Sequence, residues 1–324
     1  MSSFENIANS EDFVIEDGVL KEYKGNSADV IIPYGVEKIE GGCFSGEKIH
    51  SIVVPGSLKK IGYRAFENCI DDNGLFLSVY IGDLAAWCNI EFDNIESNPM
   101  YRGADLYLDG RLLTDLVIPD SVTEIKKFTF AGCRSIKNIK LHSGVTSIGH
   151  GAFEFCGVTT VTMKNNLKKI DNAAFACCDN LSAITIPNSV TEIGGACFLA
   201  CENLTDVTIS ENITEIDGGI FARCKSLVYV KIPNGVKKIG AEAFRGCDSL
   251  TNVEIPESVT HICHSAFRAK NLISVVIPES VQNIEDYAFE YYWEAQGLCP
   301  KCGRKLRKGL LGKKCKKCKY DYRF

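Results

Sequence analysis

The chain has 324 residues, 45% of them hydrophobic, which is enough for a substantial core and allows one to three domains. Its formal net charge is −5, but the last 26 residues contain eleven Lys or Arg and one acid, Asp321. That tail therefore contributes +10 and leaves −15 for the rest. No apolar stretch is long enough to span a bilayer, so we expect no membrane partner.

Compartment is indicated by the amino terminus and the cysteine count. Met1-Ser-Ser-Phe-Glu-Asn-Ile has neither a basic region nor an apolar run, so it does not resemble a signal peptide. Sixteen cysteines in a chain without an export signal are typical of a reducing compartment. We therefore expect a cytoplasmic protein.

A repeat follows residues 1–27, which we expect to form an amino-terminal cap segment. Phenylalanines recur mostly at intervals of 22 or 23 residues, and a fixed period of this size indicates a solenoid. We expect the solenoid to occupy residues 28–292. The anchor positions are Phe44, Phe66, Phe130, Phe153, Phe175, Phe198, Phe221, Phe244, Phe267 and Phe289.

Each copy contains a short β-branched segment that alternates as a half-buried strand does. Val207-Thr-Ile, Val230-Lys-Ile and Val253-Glu-Ile are examples. Equivalent strands stacked at one period predict a parallel sheet. Seven cysteines lie three residues after an anchor phenylalanine, and we expect them to pack as a buried column: Cys69, Cys133, Cys156, Cys178, Cys201, Cys224 and Cys247.

The interval between Phe66 and Phe130 is 64 residues long, and the repeat phrase is replaced there by an irregular insertion at about residues 70–112. Val79-Tyr-Ile and Leu106-Tyr-Leu still have the pattern of strands. Asp83 is placed to cap a short helix through Cys88 that buries Leu84, Trp87 and Cys88. The insertion is either a binding element or a tolerated irregularity.

A candidate binding surface follows from the strand register. The outward-facing residues of the first strands are apolar or aromatic, whereas later ones are mostly polar, and contiguous exposed apolar surface marks partner sites. A register error of one residue would turn every one of these side chains inward. The predicted partner-binding residues are Ile31, Val53, Tyr80, Tyr107 and Val117.

The phrase LxxhxIPxxVxxIGxxAFxxC, clearest from Leu181 to Cys201, resembles the leucine-rich repeats of the BspA-like (Treponema pallidum type) family. The resemblance covers residues 28–292. It implies an α/β fold: a right-handed leucine-rich-repeat solenoid with a parallel sheet on its concave face and short strands and helical turns on its convex face. It also implies binding of a ligand or a protein instead of catalysis, and we expect protein partners on the concave face. Many relatives are secreted or surface-attached, so a surface adhesin is an alternative function.

Two CxxC pairs lie in residues 293–324, where we expect a zinc ribbon: Cys299, Cys302, Cys315 and Cys318. Four thiolates on two facing turns suit tetrahedral Zn²⁺ and leave no open position, which predicts a structural site. A pair of disulfides is the alternative. The ribbon also has a candidate role at the end of the solenoid, where Tyr291, Tyr292 and Trp293 would cover the last coil.

The prediction of function depends largely on the absence of catalytic motifs from the sequence. The sequence contains no GxxxxGK[ST], no GxGxxG after a strand, no GxSxG and no HExxH, so we expect no enzyme. We predict a non-catalytic protein–protein interaction or scaffold module. The alternative is a nucleic-acid-associated protein that contacts phosphates through the basic tail, where Tyr320, Tyr322 and Phe324 accompany the cations.

Overall fold

The computed structural model describes residues 10–69 and 77–305, and the backbone of three short strands beyond them. The chain divides into two compact units, Met1–Thr162 and Met163–Phe324, called unit 1 and unit 2. Each unit is a β-solenoid of stacked repeats. A repeat contains a strand of three or four residues, a two-residue strand, and a turn that carries the anchor phenylalanine. These three parts form the long-strand sheet, the short-strand sheet and the phenylalanine turns.

Unit 1 contains two short 3-10 helices, Ser10–Asp12 and Ile95–Ser97, and one α-helix, α1 (Leu84–Cys88). Its strands are β1 (Phe13–Glu16), β2 (Val19–Tyr23), β3 (Asp29–Ile31), β4 (Lys38–Ile39), β5 (Ser51–Val54), β6 (Lys60–Ile61), β7 (Ser78–Ile81), β8 (Glu91–Phe92), β9 (Asp105–Leu108), β10 (Arg111–Leu112), β11 (Asp115–Val117), β12 (Glu124–Ile125), β13 (Asn138–Lys140), β14 (Ser147–Ile148) and β15 (Thr160–Thr162).

The long-strand sheet of unit 1 has two parts. Strands β3, β5, β7 and β9 pair in parallel in that order, and so do β11, β13 and β15. The parts are separated because β10 turns back and pairs antiparallel with β9, occupying the edge where the next repeat would pair. The predicted strands at Val79 and Leu106 are confirmed as β7 and β9, so the insertion continues the sheet.

The short-strand sheet of unit 1 begins with an antiparallel hairpin of β1 and β2, followed by β4, β6 and β8 in parallel. Strands β12 and β14 form a further parallel pair. The hairpin stacks aromatic rings on Phe44. The Phe13 and Tyr23 ring centroids lie 5.3 Å apart, and the Tyr23 and Phe44 centroids lie 5.4 Å apart. Aromatic side chains therefore cover the first regular repeat.

Unit 2 has one α-helix in its described part, α2 (Glu290–Ala295). Its strands are β16 (Lys169–Ile170), β17 (Ala183–Thr185), β18 (Glu192–Ile193), β19 (Asp206–Thr208), β20 (Glu215–Ile216), β21 (Lys238–Ile239), β22 (Asn252–Glu254), β23 (His261–Ile262), β24 (Ser274–Val276), β25 (Asn283–Ile284), β26 (Arg307–Gly309), β27 (Gly312–Lys314) and β28 (Asp321–Tyr322).

In unit 2 the sheets are parallel but interrupted. The long strands pair as β17 with β19 and β22 with β24. The short strands pair as β16 with β18, and as β20, β21, β23 and β25 in order. The strand predicted at Val230-Lys-Ile is wrong: Val230 is buried as expected, but this segment forms no strand. The final strands β26, β27 and β28 form an antiparallel sheet.

The core of each unit is a stack of fully buried phenylalanines, one from each turn. In unit 1 the Phe130 and Phe153 rings lie 5.4 Å apart with planes 6° from parallel. In unit 2 the stack runs from Phe175 to Phe289 with centroid spacings of 5.1–5.7 Å. Backbone hydrogen bonds between successive turns, such as Phe198 N–H to the Ile220 oxygen at 2.9 Å, hold the rings in register.

The predicted cysteine column is confirmed, since all seven cysteines are buried. The thiols of Cys201, Cys224 and Cys247 donate to the carbonyl oxygens of anchor phenylalanines in the preceding repeats, at 3.1–3.2 Å. Cys69 makes the same contact with the Phe44 oxygen in unit 1, at 2.8 Å. The cysteine therefore provides a buried hydrogen-bond donor to this carbonyl oxygen.

Helix content is lower than the α/β expectation implied. The described residues contain only α1 and α2, of five and six residues, besides the two 3-10 helices. The phenylalanine segments are turns, several with a residue at positive φ such as Ala196 at 55° or Arg223 at 63°. Such residues interrupt any helix, so each unit is a β-solenoid. None of the helices found in the described residues is long and apolar enough to cross a membrane.

Candidate interaction surface

Four of the five predicted partner-binding residues lie in one row across unit 1. Strand register pairs Ile31 with Val53, Val53 with Tyr80, and Tyr80 with Tyr107. Each of the four side chains is partly exposed, because it alternates with a buried neighbour on its strand. The Tyr80 and Tyr107 rings are stacked, with centroids 4.6 Å apart and planes 19° from parallel.

Leu112 extends this row by one position and was missed by the sequence interpretation. It pairs with Tyr107 across the β9–β10 hairpin and is 46% exposed. The hairpin turn is Asp109-Gly110, with φ of 49° and 75°, the two positive values that a type I′ turn requires. The Asp-Gly dipeptide in the sequence therefore indicates this hairpin, and with it the position of Leu112 beside Tyr107. Ile31, Val53, Tyr80, Tyr107 and Leu112 are called the apolar row.

Val117 is placed apart from the apolar row. It lies on β11 in the second part of the sheet, where it pairs with Lys140, which pairs in turn with Thr162. Its side chain is 57% exposed. The β10 hairpin separates its strand from β9, so Val117 begins a mainly polar row.

The apolar row is bordered by polar side chains of the same strands. Two positions before it, Asp29, Ser51, Ser78 and Asp105 form a second row by the same register. The Ser51 hydroxyl donates to the Asp29 carboxylate. Apolar side chains beside a hydrogen-bonded polar row are typical of a protein interface.

A similar polar network lies beside Val117. The Asp115 carboxylate accepts hydrogen bonds from the Asn138 amide at 2.8 Å and from the Thr114 hydroxyl at 3.0 Å. These bonds, with the one from Asn138 the larger cause, lower the pKa of Asp115. Asp115 therefore presents a fixed negative charge beside the β10 hairpin at neutral pH.

Half of the predicted zinc site lies within the described residues. Cys299 and Cys302 form a tight turn in which Cys302 N–H and Gly303 N–H both donate to the Cys299 oxygen, at 3.2 and 2.8 Å. Gly303 has a φ of 69°, and an added Cβ would lie 2.6 Å from the Trp293 ring. Cys315 and Cys318 lie outside the described residues. Within the described part, no group of three or more potential metal ligands is found.

The Cys299–Cys302 turn is docked on the last repeat of unit 2. Tyr287 N–H donates to the Lys301 oxygen at 2.9 Å, and the Lys301 ammonium lies 3.2 Å from the Asp286 carboxylate. Trp293 of α2 is buried and packs on Phe289, with ring centroids 5.5 Å apart. Of the three residues expected to cover the last coil, Trp293 is therefore confirmed, whereas Tyr291 and Tyr292 are only partly buried.

The repeats now identify the family. A family model described as BspA type leucine rich repeat region (6 copies) matches residues 2–79, 104–228 and 214–297, which is most of the chain. The chain belongs to this family, and the resemblance seen in the sequence is confirmed for the repeats. Comparison with curated proteins gave no significant match.

Solved structures support the same fold. A leucine-rich repeat protein from Eubacterium ventriosum is similar with a TM-score of 0.56 and 16% identity, covering 86% of this chain and 91% of that one. A leucine-rich repeat protein from Bacteroides ovatus is similar with a TM-score of 0.52 and 22% identity, covering 81% of this chain and 76% of that one. At these identities the two structures show a shared fold alone.

Proposed function

We propose that the protein is a non-catalytic interaction module that binds a protein partner through the apolar row of unit 1. The single observation that carries the proposal is the continuous register of five partly exposed apolar side chains across β3, β5, β7, β9 and β10. Leucine-rich repeats in general bind proteins, which supports the choice of partner.

Stacked tyrosines are well suited to this role. An aromatic side chain buries a large area and loses few rotamers on binding, so tyrosines are frequent energetic centres of interfaces. Tyr80 and Tyr107 already restrict each other by stacking, which lowers the entropy cost further. The polar row of Asp29, Ser51, Ser78 and Asp105 then offers the partner hydrogen bonds along one side of this centre.

The test replaces both tyrosines and compares capture of proteins from cell lysate by the immobilised full chain. Tyr80→Ser/Tyr107→Ser should lose a partner that the unchanged chain captures. The matched control is Tyr34→Ser/Tyr63→Ser, because these tyrosines of unit 1 are 89% and 56% exposed and lie off the row. The proposal would be contradicted if both double variants lost the partner to the same extent, or if neither variant lost it.

We also propose that Cys299, Cys302, Cys315 and Cys318 hold one structural Zn²⁺. The support is the backbone of the described half: Cys302 N–H and Gly303 N–H both donate to the Cys299 oxygen, so the two cysteines lie on one tight turn, as in a zinc knuckle. Bound zinc would supply folding free energy to the tail and no chemistry. Elemental analysis should give about one zinc per chain, reduced to none in Cys315→Ser/Cys318→Ser.

A cytoplasmic location remains a proposal, supported by the cysteine column. Thiols of the column act as hydrogen-bond donors to carbonyl oxygens, a role that oxidation would remove. Thiol trapping in freshly lysed cells should find these cysteines reduced. Recovery of the protein mainly from the culture medium would contradict this location and favour the surface adhesin alternative.

The nucleic-acid alternative also remains a prediction. Its basis is the +10 charge of the last 26 residues. Binding of random nucleic acid should then require the tail and weaken steeply with salt, when the full chain is compared with one ending after Tyr292.

A further inference from the structure

The last repeat of unit 2 exposes apolar side chains whose counterparts one repeat earlier are buried. Ile277, Val281 and Ile284 are all partly exposed, and the exposed fraction of Ile284 is 37%. The residues at the same three positions of the preceding repeat are at most 5% exposed: Ile255, Val259 and Ile262. The strand side of the last repeat therefore presents a cross-section of the core to water.

The phenylalanine side of the same repeat is covered by α2 and the Cys299–Cys302 turn. Tyr287 N–H donates to the Lys301 oxygen at 2.9 Å, just as Ser265 N–H one repeat earlier donates to the Asp286 oxygen at 3.3 Å. The turn thus takes the place that a further repeat would have on this side. Residues 290–305 are called the end cap.

On the strand side, the described residues contain no such replacement. Strands β24 and β25 are the last members of their sheets. The Ile239 and Ile262 oxygens accept from Cys263 N–H and Glu285 N–H of the next repeat, both at 2.9 Å, whereas no described residue donates to the Ile284 oxygen. The end of unit 2 is therefore stepped, because the end cap projects on one side and the strand side stays open.

The first repeat of unit 1 does not share this exposure. Ile32, Val36 and Ile39 occupy the same three positions of the repeat, and each is 2% exposed or less. Strand β2 of the amino-terminal hairpin pairs with β4 and closes this end. An end-to-end contact between copies of the chain therefore has one open face to use. This favours the joining of two identical faces over a head-to-tail array.

We infer that two copies of this chain associate through the stepped ends of unit 2, related by a two-fold axis. A half-turn about an axis along the step places the end cap of each copy over the open strand side of the other. Val281 and Ile284 of both copies then leave water, which supplies the driving force. Both faces are used up in one such contact, so the assembly closes at two copies.

The two sides of the step carry opposite charges, which supports a second copy as the occupant. The end cap exposes Arg304 and Lys305, and Cys299 N–H fixes this part of the backbone by donating to the Arg304 oxygen at 2.8 Å. The open side exposes Glu279 and Glu285. The half-turn brings the cations of each copy toward the acids of the other. Complementary charges of this kind select both the partner and its orientation.

This inference is independent of the apolar row, which lies in unit 1. Association of two copies is measured by mass, whereas the proposed function is measured by capture of a different protein. Failure of one therefore leaves the other to be judged separately.

The first test measures the mass of the unchanged full chain by sedimentation equilibrium over a range of concentrations. A reducing buffer excludes pairs linked by disulfides. The mass should rise with concentration from 35.6 kDa toward twice that value and stop there. A mass that stays at 35.6 kDa, or one that grows beyond two copies, would overturn the inference.

The second test introduces a charge into the open side. Ile284→Glu should weaken the association by about 100-fold, because the contact would bury an unpaired carboxylate. Ile15→Glu is the matched control, since Ile15 is an isoleucine of similar exposure, 40%, in the amino-terminal hairpin. The control should associate as the unchanged chain does. Equal dissociation constants for the two variants would overturn the inference.

The third test reverses charges and leaves the apolar core unaltered, so it does not depend on whether Ile284→Glu folds. Arg304→Glu/Lys305→Glu should weaken the association about 10-fold and reduce its sensitivity to salt. Addition of Glu279→Lys to this variant should restore much of the lost affinity, because opposite charges again face each other across the step. Association that the double reversal leaves unchanged, or that the third substitution does not restore, would overturn the stepped contact.

Discussion

At the residue scale, two phenylalanines close in sequence differ in how far they are buried. Phe153 is fully buried in the phenylalanine stack, whereas Phe155, two positions later, is 49% exposed. The anchor position places one ring between neighbouring repeats, where it loses its whole surface to the core. The stability of the solenoid should therefore depend on position in the repeat and not on the number of aromatic residues.

Substitution of these two phenylalanines measures that dependence. Phe153→Ala should lower the free energy of unfolding by about 3–5 kcal/mol, since it leaves a cavity beside Phe130. Phe155→Ala should change it by about 0.5 kcal/mol or less. Urea unfolding monitored by circular dichroism gives both values. Similar losses in the two variants would contradict the stacked-core account.

The buried thiols predict a pH dependence of stability. Desolvation by burial raises the pKa of Cys69, Cys88 and Cys201 to about 12, because the thiolate is poorly solvated in the core. The unfolded chain loses these protons near pH 9, so stability is complete below that pH and falls as the pH rises toward 12. The decrease should approach about 1.4 kcal/mol per pH unit for each buried thiol.

Urea midpoints at pH 8, 9 and 10 under reducing conditions measure this slope. Cys201→Ala removes one titrating thiol and should make the decrease shallower, although it also removes the hydrogen bond to the Phe175 oxygen. The slope, and not the absolute stability, is therefore the readout. An unchanged slope would show that this thiol is not held neutral by the fold.

At the element scale, α1 is fixed by local chemistry. The Asp83 carboxylate accepts from Ala85 N–H at 2.8 Å and from Ala86 N–H at 3.0 Å. Leu84, Trp87 and Cys88 are buried, and the Trp87 indole N–H donates to the Thr129 oxygen at 3.0 Å. The helix thus anchors the insertion on a later repeat of unit 1.

Removal of the cap should destabilise the insertion measurably. Asp83→Ala leaves two helix N–H groups without a side-chain acceptor and should cost about 1 kcal/mol. Asp83→Asn retains an acceptor and should stay within a few tenths of a kcal/mol of the unchanged chain. Thermal unfolding compares them, and equal losses would indicate that charge and not capping is responsible.

The comparison of α1 with Val228–Ile232 shows what one sequence determines. A cap and a buried face are properties of a single segment, so Asp83 and Trp87 predicted α1 correctly. Pairing is a property of two segments, so the alternation around Val230 placed its side chains inward without ensuring strand hydrogen bonds. The same limit applies to the surface: the register placed Tyr80 and Tyr107 in one row, but Leu112 required recognition of the Asp109-Gly110 turn.

At the scale of the whole molecule, each unit has an end that aromatic residues cover. Phe13 and Tyr23 cover the first repeat of unit 1, and Trp293 covers the last repeat of unit 2. Stacked repeats need such covers because each terminal repeat would otherwise expose its core. In unit 2 the cover is itself held from outside by the Cys299–Cys302 turn, through the contact of Gly303 with the Trp293 ring.

Chelation of the proposed zinc should therefore weaken unit 2. Without the metal, the Cys299–Cys302 turn loses a constraint. This loss weakens the hydrogen bond that Tyr287 N–H donates to the Lys301 oxygen and the ion pair between Lys301 and Asp286. A loss of about 2 kcal/mol would lower the melting temperature of a domain this size by about 4–8 °C. Cys315→Ser/Cys318→Ser should melt at the lowered temperature. Chelator should not change its melting further, because this variant has no zinc left to lose. Unchanged melting of a chain shown to have lost its zinc would mean that Trp293 covers the repeat without help from the metal.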